Sequence, residues 1–204
     1  NLFNETFKRN PKAKFIFCSS SQIFKKKTGK VNENSAVKIT SDYTRFRIES
    51  DKYMLAYKKK NKIFYTNAIL FNHDSKYRNE KFILPRLAKA ISQKNYNFIN
   101  NILKQNIYSD FSHANDICNG LAKLIFSKYN IDKVIFSSNK LTSLNSIILK
   151  MIEKSDLNHN KIINSYNKIK KNIYGDNSIA KNKFRWIIKK NIFQASYELS
   201  KLYN

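Results

Sequence analysis

At 204 residues the chain is long enough for one domain with a full core, or one and a half small ones. Lys and Arg total 39 against 14 Asp and Glu, a net charge of +25, yet the basic clusters Lys25–Lys27 and Lys58–Lys60 are short and scattered and no reader motif accompanies them, so nucleic acid is not the expected partner. No window approaches the ~20 consecutive apolar residues of a membrane helix and no signal peptide is visible, so a soluble cytoplasmic protein without membrane contact is expected.

Leu2 to Lys8 reads as the end of a helix. Ala13 to Cys18 is a short apolar strand that stops in Ser19, Ser20 and Ser21, followed by Gln22. A strand ending this way exposes hydroxyls at its carboxyl edge, where they can hydrogen-bond a ligand oxygen. Cys18 and Cys118 lie far apart, and His73, His113 and His159 form no ligand set with them, so free thiols and no structural metal are expected. Lys25 to Thr40 is a polar loop. Ser41 is placed to cap a helix carrying Tyr43, Phe46, Tyr53, Met54 and Tyr57 at roughly helical spacing, much of that stripe core-facing. Tyr43 and Arg47 stand one turn apart on one face of it.

Lys62 to Phe71 is rich in β-branched, aromatic and aliphatic residues and ends abruptly in Asn72, His73, Asp74 and Ser75, the pattern of a buried strand delivering polar groups to a site. Phe82 to Ile91 reads as a helix with Pro85 near its first turn, and Asn95 to Asn106 as polar and irregular. Beyond Tyr108 to Asp116, a helix is expected over Ile117 to Tyr129, a strand over Lys133 to Ser137, a helix over Ser143 to Ile152, and an amphipathic helix over Phe193 to Leu202.

Several of these strings come in the order of one family. Ile69-Leu70-Phe71-Asn72-His73-Asp74-Ser75 with its continuation to Ile91, the serine run before Gln22, Asp110, His113, Ala114 and Asp116, and the closing Gly175-Asp176 to Trp186 together resemble GDP-mannose 4,6-dehydratases, extended short-chain dehydrogenase/reductases of the NAD-dependent epimerase/dehydratase type. The resemblance implies an α/β fold: a partial Rossmann-type parallel sheet over residues 1–72 and a small mixed α/β substrate-binding region with returning Rossmann elements over 73–204. It implies a lyase that converts GDP-mannose to GDP-4-keto-6-deoxymannose with NADP, acting on a GDP-sugar as a homo-oligomer.

Carried over residue by residue, it makes Tyr43 the acid/base and Ser20 the hydroxyl that polarises the sugar's C4 oxygen. Arg47 is the cation beside the tyrosine, where the family has lysine; Tyr43, Arg47 and His73 are the cofactor contacts. Asn72, Arg78 and Arg86 are placed around the substrate phosphates. Gln22 falls where the family has the glutamate that removes the C5 proton, and Gln has no titratable carboxylate. Ser109 stands at a diphosphate-clamping arginine, and Tyr166 to Ile169 at the family's Arg-Pro substrate loop.

The Gly-x-x-Gly-x-x-Gly turn that holds a dinucleotide is absent, the three glycines being Gly29, Gly120 and Gly175. The chain, which begins at Asn1 rather than Met, is therefore read as the C-terminal part of such a protein, inactive as it stands, with an open sheet edge and an apolar helix-docking face. Three other readings stay open: a non-catalytic homologue that keeps the fold, a nucleotide-sugar epimerase or reductase of the superfamily, and, most remotely, a basic nucleic-acid-binding module.

Overall fold

The computed structural model describes residues 2–203. Helix α1 (Leu2–Arg9) leads into strand β1 (Lys14–Ser20); a 3₁₀ turn and the short β2 (Gly29–Val31) precede helix α2 (Asp42–Asn61). Then come β3 (Phe64–Leu70), β4 (Asn72–Asp74), α3 (Ile83–Ser92), α4 (Tyr96–Lys104), β5 (Ile107–Ser109), β6 (Phe111–His113) and α5 (Ala114–Phe126). The remainder is β7 (Lys133–Phe136), β8 (Thr142–Ser143), α6 (Leu144–Ile152), β9 (Lys170–Lys171), β10 (Ile173–Gly175), α7 (Ser178–Phe184) and α8 (Ile192–Tyr203).

The frame is a parallel sheet in the order β1-β3-β7. Parallel strands are covered on both faces and read as continuous apolar runs, and β3 is buried over Tyr65–Ile69. Side chains alternate across it. Tyr65 and Ile69 face α1 and α2, packing with Phe3, Phe7, Met54 and Ile48, whereas Ala68 packs with Ile117, Leu124, Val134, Phe136 and Trp186 on the α5 and α7 side. On the side away from β3, β1 pairs with no described strand. A second core gathers α3, α4, α6 and α8 around Leu87, Ile99, Leu103, Ile147 and Leu199.

Register decides what the sheet presents. Ser20 pairs with Leu70 across the β1–β3 ladder, so the serine run and the Asn72 cluster leave the sheet at the same carboxyl edge. Helix α2 starts at that edge. Its capping box is complete: Ser41 Oγ accepts from the Thr44 amide at 3.2 Å, and the Ser41 amide donates to Thr44 Oγ1 at 2.9 Å. Fixing the helix start there puts Tyr43 and Arg47, in its first two turns, over the ends of β1 and β3.

Three expectations about elements change. Asn95 to Asn106 is not irregular but holds α4, with Asn95 accepting from the Phe98 amide at 3.1 Å and Ile99 and Leu103 buried one turn apart. Four asparagines mask its short apolar stripe in sequence. The polar loop after Lys25 contributes β2, paired in parallel with β10. The aromatic stripe of α2 is largely turned outward: Tyr43, Phe46 and Tyr53 are 45%, 59% and 48% exposed, while Met54 is buried. No helix among the described residues is long and apolar enough to cross a membrane.

Candidate active site

A cleft of about 620 Å³ opens at the carboxyl ends of β1 and β3, lined by Cys18 to Gln22, Tyr43, Arg47, Leu70 to His73, Arg78 and Phe82. It brings together seven of the eight residues singled out from sequence: Ser20, Gln22, Tyr43, Arg47, Asn72, His73 and Arg78. Arg86 lies elsewhere. It is exposed on α3, over the Phe98 ring at 4.9 Å, in a separate hollow with Asn79, Glu80 and Lys81.

Ser20 caps the 3₁₀ turn Ser21–Ile23 by accepting from the Gln22 amide at 3.3 Å, which leaves its hydroxyl proton free to donate into the cleft. Gln22 rides on that turn. Arg47 is held from below: Nη1 donates to the Cys18 carbonyl at 2.6 Å, and the guanidinium carbon sits 5.0 Å from the Tyr43 ring centroid and 5.4 Å from that of Phe17. Its charge thus lies against the face of the Tyr43 ring, a cation–π placement. Nε of Arg47 is buried without a hydrogen-bond partner, as is the hydroxyl of Ser19, 4% exposed on the cleft floor.

Asn72 is oriented by two bonds, Nδ2 donating to Ser109 Oγ and to the Asp110 carbonyl at 3.0 Å each. The serine that stands where the family carries an arginine therefore anchors this asparagine. His73 Nδ1 lies 2.8 Å from the Phe71 carbonyl, which can only accept, so Nδ1 carries the hydrogen and Nε2 is an acceptor. Burial holds the imidazole below its ordinary pKa, opposed by the Phe71 bond and reinforced by the Arg78 charge, so the ring is neutral at pH 7. Arg78 stacks over Phe82 at 3.5 Å and faces Asp74 at 3.6 Å. Asp74 itself is pushed up to about 6 by burial, only partly countered by Arg78.

Asp110 and Asp116 hold the frame rather than a ligand. Asp110, fully buried, accepts from the Ser138 amide and hydroxyl at 2.7 Å and from the Gly175 amide at 3.2 Å, and burial raises it to about 6. Asp116 accepts from the amides of Lys189 and Lys190 at 3.0 and 2.8 Å, while Trp186 Nε1 donates to its carbonyl at 2.8 Å, pinning the closing segment to α5. Sequence reasoning offered Ser19 only as one of a serine run, without a role of its own, and missed Phe82. Strand alternation could have found Ser19, because Phe15 and Phe17 point to the same face of β1.

A parallel α/β sheet with its cleft at the strand carboxyl ends is the Rossmann-like architecture of nucleotide-sugar epimerases and dehydratases. The chain belongs to the GDP-mannose 4,6 dehydratase family, whose sequence profile matches residues 2–195. No curated protein matches the sequence. Among solved structures it is similar to RMD from Pseudomonas aeruginosa complexed with NADPH, at 12% identity over 99% of this chain and 70% of that one, TM-score 0.84. The dTDP-glucose 4,6-dehydratase of Bacillus anthracis in complex with NAD superposes at TM-score 0.80 with 18% identity, covering 99% of this chain and 64% of that one. UDP-glucuronic acid 4-epimerase from Bacillus cereus in complex with NAD does so at 0.75 with 19% identity, covering 98% and 65%. The chain thus spans 64–70% of the length of these three proteins.

Proposed function

We propose that the cleft is the sugar-nucleotide site of a GDP-mannose 4,6-dehydratase-like lyase, cytoplasmic and homo-oligomeric, with residues 1–72 as the Rossmann part and 73–204 as the substrate-binding part. The observation that carries this reading is the convergence of Ser20, Tyr43, Arg47, Asn72, His73 and Arg78 on one cleft from three separate stretches of the family pattern.

Each side chain has a role its geometry allows. Ser20 donates to the sugar's O4, and Tyr43 exchanges the O4 proton with the Arg47 charge against its ring. Arg78, stiffened by Phe82, presents its fork to a phosphate, as Arg geometry favours. Asn72 keeps Oδ1 for a ligand hydroxyl, whereas Arg86, in its separate hollow with Asn79, Glu80 and Lys81, takes no part in the cleft. Gln22 can hydrogen-bond the sugar but takes no proton.

The residues fit the nicotinamide end of an NADP molecule: Tyr43 and Arg47 for the ribose, and His73 with the unpartnered Ser19 hydroxyl for the carboxamide. When bound, that cofactor supplies the hydride acceptor and donor. The pyrophosphate finds no glycine cradle among the described residues. A Cβ at Gly120 would lie 2.4 Å from Phe136, and one at Gly175 2.7 Å from Ile135, so both glycines serve internal packing.

A second reading, a non-catalytic homologue that still binds nucleotide sugar, is favoured by Gln22 and by the engagement of Arg47 with the Cys18 carbonyl. Calorimetric titration of the chain with GDP-mannose, GDP and UDP-glucose, paired with mass spectrometry of GDP-mannose incubated with NADP and the full-length gene product, separates the two. Loss of water from the sugar nucleotide supports the dehydratase. Binding of GDP-mannose, weakened about tenfold or more by Arg78→Ala, with no product supports the second reading. No binding of any nucleotide sugar removes both.

A further inference from the structure

The cluster Lys58–Lys60 does not stand alone in the fold, because lysines from two other segments come to the same edge. Helices α1, α2 and α5 each run back to the amino-terminal edge of the sheet and turn into β1, β3 and β7, which are adjacent strands. With strands ~4.8 Å apart, the three turns sit side by side within about 10 Å. Two lysines tie them together. Lys14 Nζ donates to the carbonyls of Ile125 and Ser127 at 2.8 and 2.6 Å, and Lys58 Nζ reaches the Asn130 carbonyl at 3.2 Å and the Asp132 carboxylate at 2.8 Å.

The edge is far more basic than the rest of the chain. Of the 20 residues in 8–14, 58–62 and 126–133, ten are Lys or Arg, against 39 of 204 overall, and Asp132 is the single acid. Capping of the α5 end accounts for Lys14, bonds to the Tyr65 and Asn130 carbonyls and to Asp132 for Lys58, and ion pairs for Arg9 and Lys133. Lys8, Lys12, Lys59, Lys60, Lys62 and Lys128 are all exposed and join no ion pair among the described residues. Beside them stand two exposed rings, Phe126 at 86% and Tyr129 at 41%, the second under the Lys183 ammonium at 5.5 Å.

We propose that this edge binds single-stranded nucleic acid, the lysines following the phosphates and Phe126 and Tyr129 stacking on bases. Unpaired cations gathered on one edge together with exposed rings are what sequence-tolerant single-strand sites combine. The surface consists of three tight turns rather than an apolar helix face that could lie in a bilayer, which sets a membrane aside. It lies at the opposite end of the strands from the cleft and shares no residue with it, so it stands or falls independently of the sugar-nucleotide reading.

Fluorescence anisotropy of a labelled uridine oligomer of about 12 nucleotides, titrated with the whole chain over a salt series, tests the proposal. Wild type is expected to bind with log affinity falling linearly in log salt. Each phosphate contact contributes ~0.7 to the slope, so Lys59→Gln/Lys60→Gln/Lys62→Gln flattens it by about 2, and Phe126→Ala weakens binding about tenfold. A matched variant elsewhere, Lys168→Gln/Lys170→Gln/Lys171→Gln, removes the same charge from exposed positions off this edge. The proposal is overturned by absence of binding, by equal weakening in the two triple variants, or by uptake on phosphatidylserine vesicles without binding of the oligomer. Unchanged thermal unfolding confirms that each variant is folded.

Discussion

At the scale of single residues the cleft combines groups suited to chemistry with groups that restrain it. Gln22, exposed on the 3₁₀ turn, lines the cleft beside Ser20 with an amide where a carboxylate would accept a proton. On the proposed function, Gln22→Glu made in the full-length gene product and supplied with GDP-mannose and NADP should raise the rate of water loss on the order of 10²–10⁴-fold, the range of a positioned general base, read by mass spectrometry. Asp74 gives a prediction about pH. Its folded-state pKa is raised to about 6 by burial, so the folded chain holds the proton more tightly than the unfolded one. The stabilisation from that proton is complete below the unfolded value near ~4 and is lost as pH rises through about 6. Wild type should therefore lose roughly 2–3 kcal/mol relative to Asp74→Asn between pH 4 and 7.5. Urea unfolding at the two pH values checks it, and a constant difference would refute it.

At the scale of elements the site depends on where α2 begins and on how closely α5 approaches the sheet. Ser41→Ala removes one half of the capping box and should cost about 1 kcal/mol in urea unfolding. Because the start of α2 carries Tyr43 and Arg47, the same variant should also weaken GDP-mannose binding, whereas a purely global effect would leave affinity untouched. Gly120 lets α5 press against Phe136 and Trp186, with a Cβ there 2.4 Å from the Phe136 ring. Gly120→Ala is expected to destabilise by about 1–3 kcal/mol, seen as a lower thermal midpoint.

At the scale of the whole molecule the chain has unequal sides. Helix α1, one face of α2 and the edge of β1 that pairs with no described strand surround an apolar hollow of about 400 Å³ lined by Phe15, Phe17, Phe46, Tyr53 and Met54 among others. An unpaired edge beside exposed aromatics favours association. Phe46→Glu, at a 59% exposed position, should lower concentration-dependent light scattering while changing stability by no more than ~0.5 kcal/mol. Equal scattering would place the contact elsewhere.

Sequence by itself determined the two strands that end in polar groups, because apolar runs and their abrupt ends are local properties of the chain, while the order of its motifs carried the parallel-sheet class and seven of the residues that line the cleft. Arg86 escaped that logic: helical phase turned it to another hollow, away from Arg78. The tertiary structure alone decided that Arg47 is held by the Cys18 carbonyl, that Asn72 is bound to Ser109, and that lysines from three segments far apart in sequence share one edge. These are long-range pairings, set by strand register and by helices folding back antiparallel to the strands they follow, and no local pattern encodes the distance between residues that only the closed sheet brings together.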